Sequence, residues 1–158
     1  MDLTDEFIDE LITLPKRLPR KNWFSQRVEF AYLRLDVLLE CDSEFRFTLK
    51  GRCSQENPQD FSAILSVKFP TEKEMNLLRC NGAHVHGNNI EKETLGCQTH
   101  IHKATRRYIA IGANPEKYAV LAEDCYNNYE EAILHLLKIA NISQPEDDSG
   151  QQSLSFRK

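Results

Sequence analysis

The stretch FSAILSVKF, residues 61–69, places Phe61, Ala63, Leu65, Val67 and Phe69 at a spacing of two, with Pro70 closing the run. In an extended chain this spacing puts every apolar side chain on one face, so the segment is predicted to be a half-buried strand. The same period appears on both sides of it. Upstream, Phe45, Phe47 and Leu49 alternate up to Gly51 after the turn signal Asp42-Ser43, and QENPQD at 55–60 reads as a loop. Residues 28–41 also alternate, but Val28, Phe30 and Tyr32 are even-numbered while Leu33, Leu35, Val37, Leu39 and Cys41 are odd-numbered. A β-bulge or strong bend at Tyr32-Leu33 would produce that slip. Downstream, Met75 to Cys80 reads as a further strand. Successive strands without intervening helices favour an antiparallel meander over a parallel sheet.

Helices are expected at both ends. Thr4 can cap a first helix carrying Phe7, Ile8, Leu11 and Ile12 on one stripe, and Pro15 ends it. Asn128 and Glu131 form a capping-box pattern ahead of the stripe Tyr129, Ala132, Ile133, Leu136, Leu137 and Ala140. A helix is also predicted from about Lys103 to Ala113, before Pro115. Residues 81–98 contain Gly82, Gly87, Gly96 and the pair Asn88-Asn89, and read as a long surface loop. The expected architecture is α+β: an N-terminal helix, about four antiparallel strands, and two C-terminal helices on one face. Residues 1–142 would form this single domain, and the polar run from 143 to 158 a disordered tail.

The whole chain of 158 residues, 41% hydrophobic and 28% charged, fits one globular domain able to bury a core without disulfide or metal staples. No apolar run approaches the roughly 18 residues of a membrane span. The first residues are acidic where a secretory signal needs a basic start, so the expectation is a cytoplasmic protein without membrane contact. Five cysteines, odd in number and without a C-x-x-C pair, argue against a disulfide framework. The net charge of −4 excludes a global attraction to nucleic acid, so any anion site must be local.

Four of the five histidines fall between His84 and His102. They form two doublets, His84-Val85-His86 and His100-Ile101-His102, and a spacing of two in extended chain turns both imidazoles of a doublet the same way. One reading is acid–base chemistry on a phosphate ester without a cofactor. His100 and His102 would move protons, Arg106, Arg107 and Tyr108 would act on the phosphoryl group, and Lys103 with the start of the next helix would attract it. The basic segment PKRLPRKNWFSQR, residues 15–27, would add Arg20, Lys21 and Trp23 for backbone neutralisation and base stacking, pointing to RNA or a nucleotide phosphate. Trp23 and Phe24 can equally serve as core plugs against the first helix. Another reading is a zinc site built from His84, His86, His100 and His102, with Cys80, Cys97, Glu91 and Glu93 nearby in sequence. A third is a non-catalytic regulator that inhibits a protein partner by surface contact. In the blandest reading the imidazoles only satisfy backbone carbonyls.

The segments Leu78-Arg79-Cys80-Asn81-Gly82-Ala83-His84 and His100-Ile101-His102-Lys103-Ala104-Thr105-Arg106-Arg107-Tyr108 resemble the shared core of a family of small bacterial and phage or mobile-element proteins known only as a domain of unknown function. The likeness runs loosely from the first helix to the last and rests on His100, His102, Thr105, Arg107 and Tyr108. It implies a prokaryotic or phage origin and cytosolic residence, and brings no activity with it.

Overall fold

The computed structural model describes residues 2–145; most of the expected tail lies outside them. In chain order the elements are α1 (Asp5–Thr13), β1 (Lys16–Arg17), β2 (Arg27–Glu29), β3 (Tyr32–Leu38), β4 (Glu40–Cys41), β5 (Arg46–Ser54), β6 (Phe61–Lys68), β7 (Glu74–Asn88), β8 (Glu93–Lys103), α2 (Arg106–Ala110), β9 (Ala119–Leu121), α3 (Tyr129–Ile139) and β10 (Ile142–Ser143). Strands β2-β3-β5-β6-β7-β8-β9, in that order, form a seven-stranded sheet, and β10-β1-β4 form a small second one. Each ladder of the large sheet is antiparallel. The meander expected from the alternation is therefore present, but with seven strands rather than about four.

Cross-strand partners share a face, and the registers sort the residues of this sheet cleanly. Leu35, Gly51, Ala63 and Cys80 lie in one row, and Val37, Leu49, Leu65 and Leu78 in the next. These residues are buried, and α1 and α3 cover them with Ile8, Leu11, Ala132, Ile133 and Leu136. Both helices are capped as their sequences require: Thr4 Oγ1 accepts from Phe7 N at 3.1 Å, and Asn128 Oδ1 accepts from Glu131 N at 2.9 Å. Helix α3 rests so closely on the sheet that a Cβ on Gly51 would come within 2.1 Å of Tyr129 Oη.

Four expectations change. The phase slip near Tyr32 is a tight hairpin turn between β2 and β3, with Phe30 at φ 58°, and not a bulge in one strand. Residues 81–98 are mostly strand: β7 runs on to Asn88 and β8 begins at Glu93, so the predicted loop is a hairpin with its turn at 89–92. The helix predicted from Lys103 to Ala113 shrinks to α2, because the β8 ladder holds the chain extended through Lys103. The face that two C-terminal helices were expected to cover is shared by α3 and α1.

The basic segment is also less open than its composition suggests. Lys16 is only 1% exposed, and its Nζ donates to the carbonyls of Ile12, Leu14 and Ala140 at 2.7–2.9 Å while lying 4.8 Å from the centre of the Phe47 ring. These carbonyls belong to the C-terminal ends of α1 and α3, where a cation is favoured. Burial nevertheless brings the lysine down to about 8. Trp23 is a core residue, edge-to-face with Phe24 at 5.6 Å.

Leu65 is fully buried at the centre of the sheet, between Leu49 and Leu78. Leu65→Ala is expected to lower the free energy of unfolding by about 2–5 kcal/mol. Urea titrations of the variant and the parent chain measure it, and a change below about 1 kcal/mol would contradict this packing.

Candidate functional site

The opposite face of the sheet is polar. One row crosses it through Arg34, Arg52, Ser62, Asn81 and His100, and the adjacent row includes Ile64, Arg79 and His102. Unbroken alternation would put residues 83 and 85 of β7 on this face and turn His84 and His86 toward the helices. The ladder prevents this. Asn81 pairs with His100 and His84 with Gln98, so three steps along β7 match two along β8. The extra residue, at Gly82-Ala83, reverses the phase and brings His84 and His86 onto the face that already carries His100 and His102. Gly82 is required there, since a Cβ on it would fall 1.9 Å from the Gln59 carbonyl oxygen.

The four imidazoles form a contiguous cluster. Ring centroids are 4.5 Å apart for His84 and His100, 5.5 Å for His86 and His100, 4.6 Å for His86 and His102, and 5.0 Å for His100 and His102. His84 is exposed, His86 partly buried, and His100 and His102 buried. Each ring has one nitrogen at a backbone carbonyl. His84 Nδ1 faces Gly82 O at 3.3 Å and His86 Nε2 faces Lys117 O at 2.9 Å. His100 Nδ1 faces Gln98 O and His102 Nδ1 faces Glu116 O, both at 2.9 Å. A carbonyl only accepts, so each of these nitrogens carries a proton, and the other ring nitrogen is the one able to offer a lone pair.

His86, His100 and His102 each offer a ring nitrogen within 4.8 Å of the others. His100 Nε2 is buried with no hydrogen-bond partner among the described residues. Burial, followed by repulsion from the neighbouring rings, lowers His102 to about 3. His100 is lowered for the same leading reason. Both are therefore neutral near pH 7.

Two depressions adjoin the cluster. One, of about 250 Å³, is lined by Arg79, Asn81, His84, His86, His102 and the 114–117 segment. The other, of about 340 Å³, extends from Arg79, Asn81 and His84 to Arg52, Asp60 and Ser62. Arg79 donates to Glu116 Oε2 at 3.0 Å, and Arg52 to Asp60 Oδ1 at 3.1 Å.

The cations proposed from sequence lie elsewhere. Lys103 follows His102 in an extended strand, so it faces the helix side, where it pairs with Asp9. Arg106 pairs with Asp2, and its backbone N–H donates to Asp5 Oδ1 at 2.9 Å, so the start of α2 already holds a carboxylate of α1. Arg107 pairs with Glu91, and Tyr108, wholly buried, donates to the same carboxylate at 2.6 Å. Thr105 is buried beside them. Arg20 and Lys21 are exposed, and neither they nor Trp23 line the depressions beside the histidines. Cys80 faces the core, where burial pushes it up to about 12. The doublets of the zinc reading thus come together, while the acid–base set is divided between the two faces of the sheet. Arg79, Asn81 and Glu116 were missed. For the first two the available signal was their polar alternation with Leu78 and Cys80.

In chelator-treated protein, the folded state keeps His102 neutral down to about pH 3. An unfolded chain takes up that proton near pH 6.5. Between these limits the unfolded state binds more protons, so stability falls on acidification, by up to about 1.4 kcal/mol per pH unit from this residue alone. Urea midpoints should drop from pH 7 to pH 5, and less so in His102→Asn; equal midpoints in the parent chain would contradict the burial of this ring.

No helix among the described residues is long and apolar enough to cross a membrane. No protein-family model, no curated protein and no solved structure matches the chain, so its chemistry rests on these side chains alone.

Proposed function

We propose that the chain binds a divalent transition metal of the zinc class through His86, His100 and His102, with His84 at the rim and one coordination position open to the adjoining depression. The observation that carries this reading is the orphaned His100 Nε2, buried among three other imidazoles. A buried polar atom without a partner is costly, and a bound cation would satisfy it. The backbone carbonyls strengthen the argument. A ligating histidine commonly donates its second nitrogen to such an acceptor, which fixes the tautomer and aims the lone pair at the ion. Zinc–nitrogen bonds of about 2.0–2.1 Å place ligand nitrogens roughly 3.3 Å apart at tetrahedral corners. With ligand nitrogens already within 4.8 Å of one another, no pair has to close by more than about 1.5 Å on an ion.

Three histidines and an open position are the donor set of catalytic rather than structural zinc, where the ion can activate a bound water near neutral pH. The metal-free phosphoester reading has weaker support. His100 and His102 are both held neutral, so neither is a ready proton donor, and Lys103, Arg106 and Arg107 are engaged by Asp9, Asp2 and Glu91.

Untagged protein equilibrated with zinc and then desalted should retain about one ion per chain by elemental analysis. His100→Ala should retain less than a tenth of that. Free zinc at a hundred times its dissociation constant should add about 2.7 kcal/mol, raising the melting temperature by about 5–10 °C. Failure of the parent chain to retain zinc, nickel, copper or ferrous iron would overturn the proposal.

A further inference from the structure

Two of the four rings are oriented by their own strands and two are not. His84 Nδ1 and His100 Nδ1 meet the carbonyl two residues back, on Gly82 and Gln98. His86 Nε2 and His102 Nδ1 instead meet the carbonyls of Lys117 and Glu116, in the segment between α2 and β9. That segment therefore decides which nitrogen of each ring can face an ion, Nδ1 for His86 and Nε2 for His102. Backbone bonds tie it to the end of β8, where Lys103 N donates to Tyr118 O at 3.0 Å and Thr105 N to Pro115 O at 3.1 Å. Between these two bonds, a side chain makes the tie to β7. Glu116 is 7% exposed, and its Oε2 accepts from Asn76 Nδ2 at 2.6 Å and from Arg79 at 3.0 Å. The two donors lie on β7, across β8 from the segment. Glu116 also lines the smaller of the two depressions, which meet at Arg79, Asn81 and His84 to form one groove. Its carboxylate is not a member of the converging ligand group, so it can act only through other residues.

We infer that Glu116 is a positioning residue of the metal site: clamped by Asn76 and Arg79, it fixes the carbonyls of residues 116 and 117 that hold His102 and His86 in their ligating tautomers. The inference rests on the metal reading above. It assigns a mixed ligand set, with His86 binding through Nδ1 and His100 and His102 through Nε2. Arg79 serves the carboxylate in this arrangement and is not a ligand-binding group. A nearby carboxylate could also favour a cation by charge alone. Glutamine separates the two effects, since it keeps an acceptor oxygen of similar reach and drops the charge.

The test measures zinc affinity by competition with a chromophoric chelator, and ring tautomers by long-range proton–nitrogen correlation at about pH 8, above the histidine range. With and without zinc, the parent chain should carry the ring proton on Nε2 of His86 and on Nδ1 of His100 and His102. Glu116→Ala should bind zinc about 10–100-fold more weakly and show mixed tautomers at His86 and His102, while His100 keeps its Nδ1 proton. Glu116→Gln should stay within about fivefold of the parent. Asn76→Ala removes the shorter clamp bond and should cost at least about threefold, which keeps the comparison open if Glu116→Ala does not fold. Unchanged affinity in Glu116→Ala, or in Asn76→Ala where the first does not fold, would overturn the inference. So would a Glu116→Gln variant as weak as Glu116→Ala, which would point to charge, or loss of the His100 tautomer together with the other two, which would point to general loosening. Each of these leaves the metal site standing. Lack of zinc uptake by the parent chain would overturn the metal reading itself, and this inference with it.

Discussion

A β-strand presents its side chains in strict alternation, and the histidine cluster depends on β7 breaking that alternation once. Residues 79 and 81 face away from the helices, and so do 84 and 86, which is possible only because the chain gains a residue at Gly82-Ala83. The local requirement is severe, because the 55–60 loop presses its Gln59 carbonyl against the bulge where only a glycine fits. The same contact makes that loop one wall of the groove. Bulge, glycine and loop are thus one device: it aims two imidazoles and shapes the space in front of them.

The sheet separates two chemistries that are adjacent in sequence. Along His100-Ile101-His102-Lys103, the histidines go to the polar face and Ile101 and Lys103 to the helix side. The polar face therefore gathers donors, while of the cations after His102, Lys103 and Arg106 tie β8 and α2 to the N-terminal segment and Arg107 ties α2 to the β7–β8 turn. Tyr108 shows the purpose of that second cluster: its hydroxyl donates to Glu91 and accepts from Ile90 N, fixing the far end of the hairpin that carries all four histidines. Precision at a site of this kind depends on such support at a distance from it.

Much of the fold was legible because its signals are local. The alternation of Phe61 to Phe69, the Thr4 and Asn128 caps and the two helical stripes each depend on residues a few positions apart. The segment 81–98 was misread for the complementary reason. Its glycines and asparagines carry poor strand propensity, and what keeps them extended is pairing between β7 and β8, a tertiary effect that overrides propensity. Of the site, the doublets could be seen and their pairwise orientation inferred. Their convergence could not, since it turns on a register shift that leaves no mark beyond a glycine. Composition places Lys16 in an open basic segment and leaves Trp23 between base stacking and a core plug; the ends of two helices claim the first and the core claims the second.

The caged lysine has a consequence for the order in which the chain becomes complete. Its ammonium is shared between carbonyls of α1 and the Ala140 carbonyl at the end of α3, and β1 lies between β4 and β10. A nascent chain that has emerged only as far as β9 would have an N-terminal helix with one of its lysine's three acceptors still unmade. The large sheet can pair strand by strand during synthesis, whereas the seam joining the first and last segments closes only after residue 142 is free. The third acceptor of Lys16 therefore waits on sequence more than a hundred residues away.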